Sequence, residues 1–101
     1  MTNILLGTTL VALFLPMMAI AGPVEKACLK SDRQASSRAL CGCIQQVADM
    51  TLTSADQRRA ANFFNDPDQA QKVRMSKSDR DNDFWTRYRS FGEMAESYCA
   101  G

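Results

Sequence analysis

Four cysteines, Cys28, Cys41, Cys43 and Cys99, offer the most direct chemistry in this sequence. Thiols can be joined as disulfides, exchange disulfides as catalysts, or hold a metal as thiolates. Cys41-Gly42-Cys43 is the sharpest local motif, because a thiolate is favoured near a helix N-terminus and a Cys-x-Cys pair could then shuttle disulfides. Its surroundings favour structural bonds instead. No thioredoxin-like βαβ pattern accompanies the motif, and the paired Cys-x-x-Cys knuckles of zinc ribbons are missing. Cys28 and Cys99 supply partners, so an even set of cysteines in an oxidising compartment reads as two disulfides. Redox or metal handling through Cys41 and Cys43 is the alternative.

Geometry restricts the pairing. Cys41 and Cys43 lie two residues apart on an expected helix, with side chains directed to different sides, which makes them poor mutual partners. If the chain folds back antiparallel through Ser31 to Ser36, Cys28 comes opposite Cys41. The favoured pairs are then Cys28 with Cys41 and Cys43 with Cys99. By loop entropy the second, longer closure is worth roughly 3–4 kcal/mol.

Other catalytic constellations are scarce. The chain has no histidine, which removes His-based acid–base chemistry, His-activated nucleophiles and His metal ligands together. Asp79-Arg80-Asp81-Asn82-Asp83 opens like a calcium loop. Phe84 then stands where such a loop needs glycine and Ser90 where it needs glutamate, so helix capping explains these acids better. We expect no catalytic residues, no metal site and no cofactor. Arg58, Arg59, Arg74, Arg80, Arg87 and Arg89 are interleaved with acids and read as solvated helix faces. Trp85, with Arg87 and Arg89 beside it, forms the candidate contact surface.

The elements that must position these residues begin after a sharp change of composition. Residues 2–24 carry no charged side chain, and Ile4 to Ile20 is dominated by large apolar residues. Ala19-Ile20-Ala21-Gly22 follows as a small-x-small pattern, so residues 1–21 read as a signal peptide cleaved after Ala21. Pro16 and the lack of a basic stop-transfer cluster support cleavage. An uncleaved inner-membrane anchor is the alternative, because the n-region has no basic side chain. Residues 22–101 form the domain and contain all 12 basic and 11 acidic residues, for a net charge near +1. That balance gives no electrostatic case for nucleic acid or an anionic membrane.

Helical punctuation recurs along this domain. Val24 to Lys30 can form a short helix. Ser36 or Ser37 caps a second reaching about Met50, with Leu40, Cys43, Ile44, Val47 and Thr51 on one face. Thr53-Ser54-Ala55-Asp56-Gln57 holds two overlapping capping boxes and starts a third helix through Phe63 and Phe64. Asp66 caps a short fourth, with Pro67 in its first turn and Gln69 able to reach back, ending near Met75. Ser78 or Asp79 caps the last, which runs to about Cys99 with Phe84, Tyr88, Phe91, Ala95 and Tyr98 as its stripe. The fold class is therefore all-α: a small disulfide-stapled four- to five-helix domain after an N-terminal signal peptide.

From Cys28 onward the chain resembles a small family of exported proteins from rhodobacter-like alphaproteobacteria. The resemblance rests on Ala27-Cys28, Leu40-Cys41-Gly42-Cys43-Ile44-Gln45-Gln46-Val47-Ala48, Asp56-Gln57-Arg58-Arg59-Ala60-Ala61, Phe63-Phe64-x-Asp66-Pro67, Ala70-Gln71 and Phe84-Trp85-x-Arg87-Tyr88-x-x-Phe91. Members of that family are often labelled "arginine transporter". The resemblance implies a periplasmic or secreted protein with a protein or small-molecule partner there. A domain with at most one membrane segment cannot build an alternating-access pathway, so the expected role is an accessory binding or interaction component.

Overall fold

The computed structural model describes residues 21–31 and 36–100. Apart from Ala21, the signal segment assigned to residues 1–21 lies outside them. Five helices follow in order: α1 Pro23–Lys30, α2 Arg38–Thr51, α3 Ser54–Asn65, α4 Pro67–Met75 and α5 Asp79–Cys99. No strand occurs among the described residues. α1 packs on α2 and α3, α2 packs on α5, and α4 bridges α3 and α5.

Small hydroxyl side chains start the three longer helices. Ser37, Thr53 and Ser78 each accept a hydrogen bond from the backbone N–H three residues on, at Leu40, Asp56 and Asp81, which satisfies donors that a helix start leaves open. Asp66 departs from expectation. Its N–H donates to the Asn62 carbonyl to close α3, and its own carbonyl accepts from the Gln69 N–H as α4 begins. Its carboxylate makes no cap bond; Pro67, whose missing N–H is tolerated at a helix start, opens α4 instead.

Two apolar clusters form the core. Val24, Val47, Ala48, Leu52, Ala60 and Phe91 gather where α1, α2, α3 and α5 meet. Phe63, Val73 and Phe84 gather among α3, α4 and α5. Half-buried Tyr88 packs against both. Its ring lies 5.2 Å from Phe63, in an edge-on arrangement, and 6.0 Å from Phe91. Burying a side chain such as Phe84 is worth about 1.5–3 kcal/mol.

Two expected faces are corrected. On α2 the buried residues are Cys41, Gln45, Val47 and Ala48, while Leu40, Cys43, Ile44 and Thr51 are only half-buried. The face is rotated because α2 is covered by α1 on one side and α5 on the other. On α5 the stripe ends at Ala95, and Tyr98 is 71% exposed. The neighbouring Cys99 is bonded to Cys43, and one residue's rotation of about 100° then carries Tyr98 outward.

Gln45 tolerates burial because an amide network satisfies it. Its Oε1 accepts from the Glu25 N–H at 2.9 Å, and its Nε2 donates to Gln57 Oε1 at 2.7 Å and Asp49 Oδ1 at 2.9 Å. Gln57 Nε2 donates in turn to Asp49 Oδ1 and the Leu52 carbonyl. The junction thereby ties α1, α2 and α3. Gly22 touches it so closely that a Cβ there would collide with the Gln45 amide.

Removing one member strands the others in a poorly solvated site, where an unmade hydrogen bond costs about 1–3 kcal/mol. We expect Gln45→Ala to lower unfolding stability by about 2 kcal/mol in urea titration. In a double-mutant cycle with Gln57→Ala the two losses should sum to more than the double variant loses.

Candidate functional site

The cysteine frame is centred on α2. Cys28 bonds Cys41, joining α1 to α2, and Cys43 bonds Cys99, joining α2 to the end of α5. Cys41 and Cys43 thus point to opposite neighbours, as the roughly 200° between residues two apart on a helix requires. On the same side of the domain as the Cys28–Cys41 bond, Ser31 Oγ and Ser36 Oγ are 3.0 Å apart. No cysteine among the described residues is free.

The residues of the expected contact surface are not brought together. Trp85 is half-buried against the Phe63–Val73–Phe84 cluster, its ring 5.3 Å from Tyr88. Arg87 lies on the opposite flank of the buried stripe, where Nε donates to Asp56 Oδ2 at 2.6 Å and Nη2 to Oδ1 at 3.2 Å. That bidentate bond raises the Arg87 pKa above its ordinary value, chiefly through the hydrogen bond to Asp56. Arg89, in contrast, is open to solvent and only 3.7 Å from Glu93 one turn along. Only Trp85 and Arg89 remain on a common outward side, one helical turn apart.

Two arginines read as solvated are therefore part of the frame. Besides Arg87, Arg59 on α3 pairs with Asp81 on α5, and its guanidinium carbon sits 4.4 Å from the Phe84 ring centroid. Hydrogen bonds from Ser76 and then from Arg59 hold the Asp81 carboxyl down to about 2. The cap of α5 is the Ser78 hydroxyl, and among the acids that follow it Asp81 clamps the helix start to α3 through Arg59. Among the described residues no group of three or more Cys, Asp or Glu side chains is arranged to hold a metal.

Sequence reasoning overlooked Asp56 and Gln57 as tertiary residues, because both look like the acceptor ends of capping boxes. Thr53 does cap α3, but the Asp56 side chain pairs with Arg87 and Gln57 joins the amide junction. A usable signal existed for Gln45, which stands between Cys41 and Ala48 at helical spacing on an apolar face. One surface concavity, of about 400 Å³, is lined by Ala21, Gly22, Pro23, Lys26, Ser54, Gln57 and Arg58. A second, of about 390 Å³, lies along α5 at Ser90, Glu93, Met94, Ser97 and Tyr98.

Scans against models of protein families, and searches of curated proteins and of solved structures, find no match to this chain.

The two arginines of α5 should separate under mutation. Arg87→Ala leaves a largely buried carboxylate without its partner and is expected to lower the urea midpoint, whereas Arg89→Ala leaves it within error. Asp81 adds a pH signature. Its folded pKa is depressed, so its contribution is fully present above the unfolded value of about 3.9 and is lost as pH falls through about 2. The stability gap between the native chain and Asp81→Asn should therefore shrink from about pH 4 to about pH 2, measured by urea unfolding at fixed ionic strength.

Proposed function

We propose that the chain is a small non-catalytic binding or interaction protein of the periplasm, exported by cleavage after Ala21 and acting as an accessory component. The observation that carries this reading is that all four cysteines are taken up in two cross-links between helices. Bonds of this kind persist in oxidising compartments outside the cytoplasm. Supporting it, no described helix is long and apolar enough to cross a membrane. The polar side chains nearest the core are engaged in structural bonds: Gln45 and Gln57 with one another, Asp56 with Arg87. Trp85 and Arg89 give the outward side of α5 its candidate contact residues.

Arginine as a ligand rests on the family resemblance alone, and it is included in the proposal on that footing. A guanidinium ligand needs a carboxylate in fork geometry, and Glu93, on the exposed side of α5, would supply one by exchanging its ion pair with Arg89 for the ligand.

Three measurements test these statements separately. Thiol counting on the purified, unreduced protein should find none, and more than one free thiol per chain would remove the structural role of the disulfides. Intact mass of the exported protein should correspond to a chain beginning at Gly22; a chain retaining residues 1–21 would make it an inner-membrane anchored protein. Calorimetry with free arginine should show saturable heat. Its absence would remove arginine and leave an interaction protein with another partner.

A further inference from the structure

The two disulfides differ in access and in what depends on them. Cys28 and Cys41 are 3% and 0% exposed, while Cys43 and Cys99 are half-buried. Thiol–disulfide exchange requires a thiolate to reach a sulfur, so access sets which bond reacts first. The first bridge is also backed by the core, because Val24 is fully buried on the same short helix as Cys28. The amide junction adds a second tie between α1 and α2, through Glu25 and Gln45.

The end of α5 has little of this support. Beyond Phe91 no residue of the helix is buried; Gly92, Glu93, Met94, Glu96, Ser97 and Tyr98 are exposed. Nothing lies within 4 Å of a Cβ built on Gly92. Half-buried Ala95 and Cys99 provide its packing against the core cluster, together with Ile44 of α2. The ion pair in this segment, Arg89 with Glu93, runs along the helix itself. What fixes the last two turns to α2 is therefore chiefly the Cys43–Cys99 bond.

We propose that Cys43–Cys99 is a redox-labile clamp: a dithiol reductant opens it ahead of Cys28–Cys41, and the last two turns of α5 come away while the rest of the fold stays assembled. The step balances as an ordinary exchange. One thiolate of the reductant attacks one sulfur of the bridge, forming a mixed disulfide and expelling the other cysteine as a thiolate that takes up a proton. The reductant's second thiol then resolves the mixed disulfide, so the reductant leaves oxidised by two electrons and Cys43 and Cys99 are left as thiols. With the bond open, Ala95 and Cys99 leave the cluster that they share with Ile44 and Phe91, which loses its cover at that end. The inference goes beyond the interaction reading and holds or fails independently of arginine binding.

The test uses the native chain. It is exposed to a graded dithiothreitol series, trapped with an alkylating reagent and mapped by peptide mass, with hydrogen exchange followed in parallel. Cys43 and Cys99 should be labelled at about tenfold lower reductant than Cys28 and Cys41. Amides of residues 92–99 should then lose protection while those of α1 to α4 keep theirs. Labelling of all four cysteines together, earlier opening of Cys28–Cys41, or global unfolding at the first opening would each overturn the proposal. So would unchanged protection at 92–99 once the bridge is open.

Discussion

A rotation of about 200° between two side chains sets the arrangement of this domain. Cys41 and Cys43 are separated by one glycine on α2, so the bonds they make must leave that helix on opposite sides. One reaches back to α1 and the other out to the end of α5. α2 becomes a post with a helix tied to either side, and α3 and α4 fill the space that remains. The width of the buried face on α2 follows from this, and so does the burial of Gln45, which would otherwise be a misplaced amide. Because Glu25, Asp49 and Gln57 complete its hydrogen bonds, its desolvation is compensated and the junction fixes where α1 and α3 sit.

A second device sets the register of α3 against α5. Each helix contributes one arginine and one aspartate: Arg59 reaches Asp81, and Arg87 reaches Asp56. The pairs run in opposite chain directions, which fits an antiparallel crossing, and on α5 Phe84, edge-on to Phe63, stands between Asp81 and Arg87. Arg59 spans both kinds of chemistry, since it also lies over the Phe84 ring. Sliding one helix past the other by a turn would break both ion pairs and the aromatic contact together.

The number of helices and the bounds of most of them are legible in the sequence because hydroxyl caps and Pro67 act locally, and Ser37, Thr53 and Ser78 do what their types suggest. The disulfide pairs are legible for a related reason: Cys41 and Cys43 cannot readily bond each other on one helix, and an antiparallel fold-back through Ser31 to Ser36 favours Cys41 as the partner of Cys28. What escapes a linear reading is the diversion of local motifs to distant partners. Asp56 and Gln57 fit a capping box as well as they fit a tertiary contact, and only the approach of α5 and α2 decides between them. The same is true of Arg87, whose charge resembles that of Arg89 until Asp56 arrives opposite it. Tyr98 is a subtler case, since its spacing continues the aromatic stripe but the bond at Cys99 turns it outward. The candidate contact residues divide accordingly, with Arg87 held by Asp56 away from the side shared by Trp85 and Arg89.

The two cross-links also divide the backbone into closed circuits. One ring runs from Cys28 to Cys41 and the next from Cys43 to Cys99, adjoining without overlapping. A protease that cuts once inside either ring opens it without releasing a fragment. Between Cys28 and Cys99, only the two peptide bonds flanking Gly42 can part the chain in a single cut. Both lie inside α2, where the backbone is held in helical hydrogen bonds and cannot extend into a protease cleft unless the helix opens. For a protein proposed to work among extracytoplasmic proteases, the one severable joint is placed inside a helix that a cross-link holds on either side.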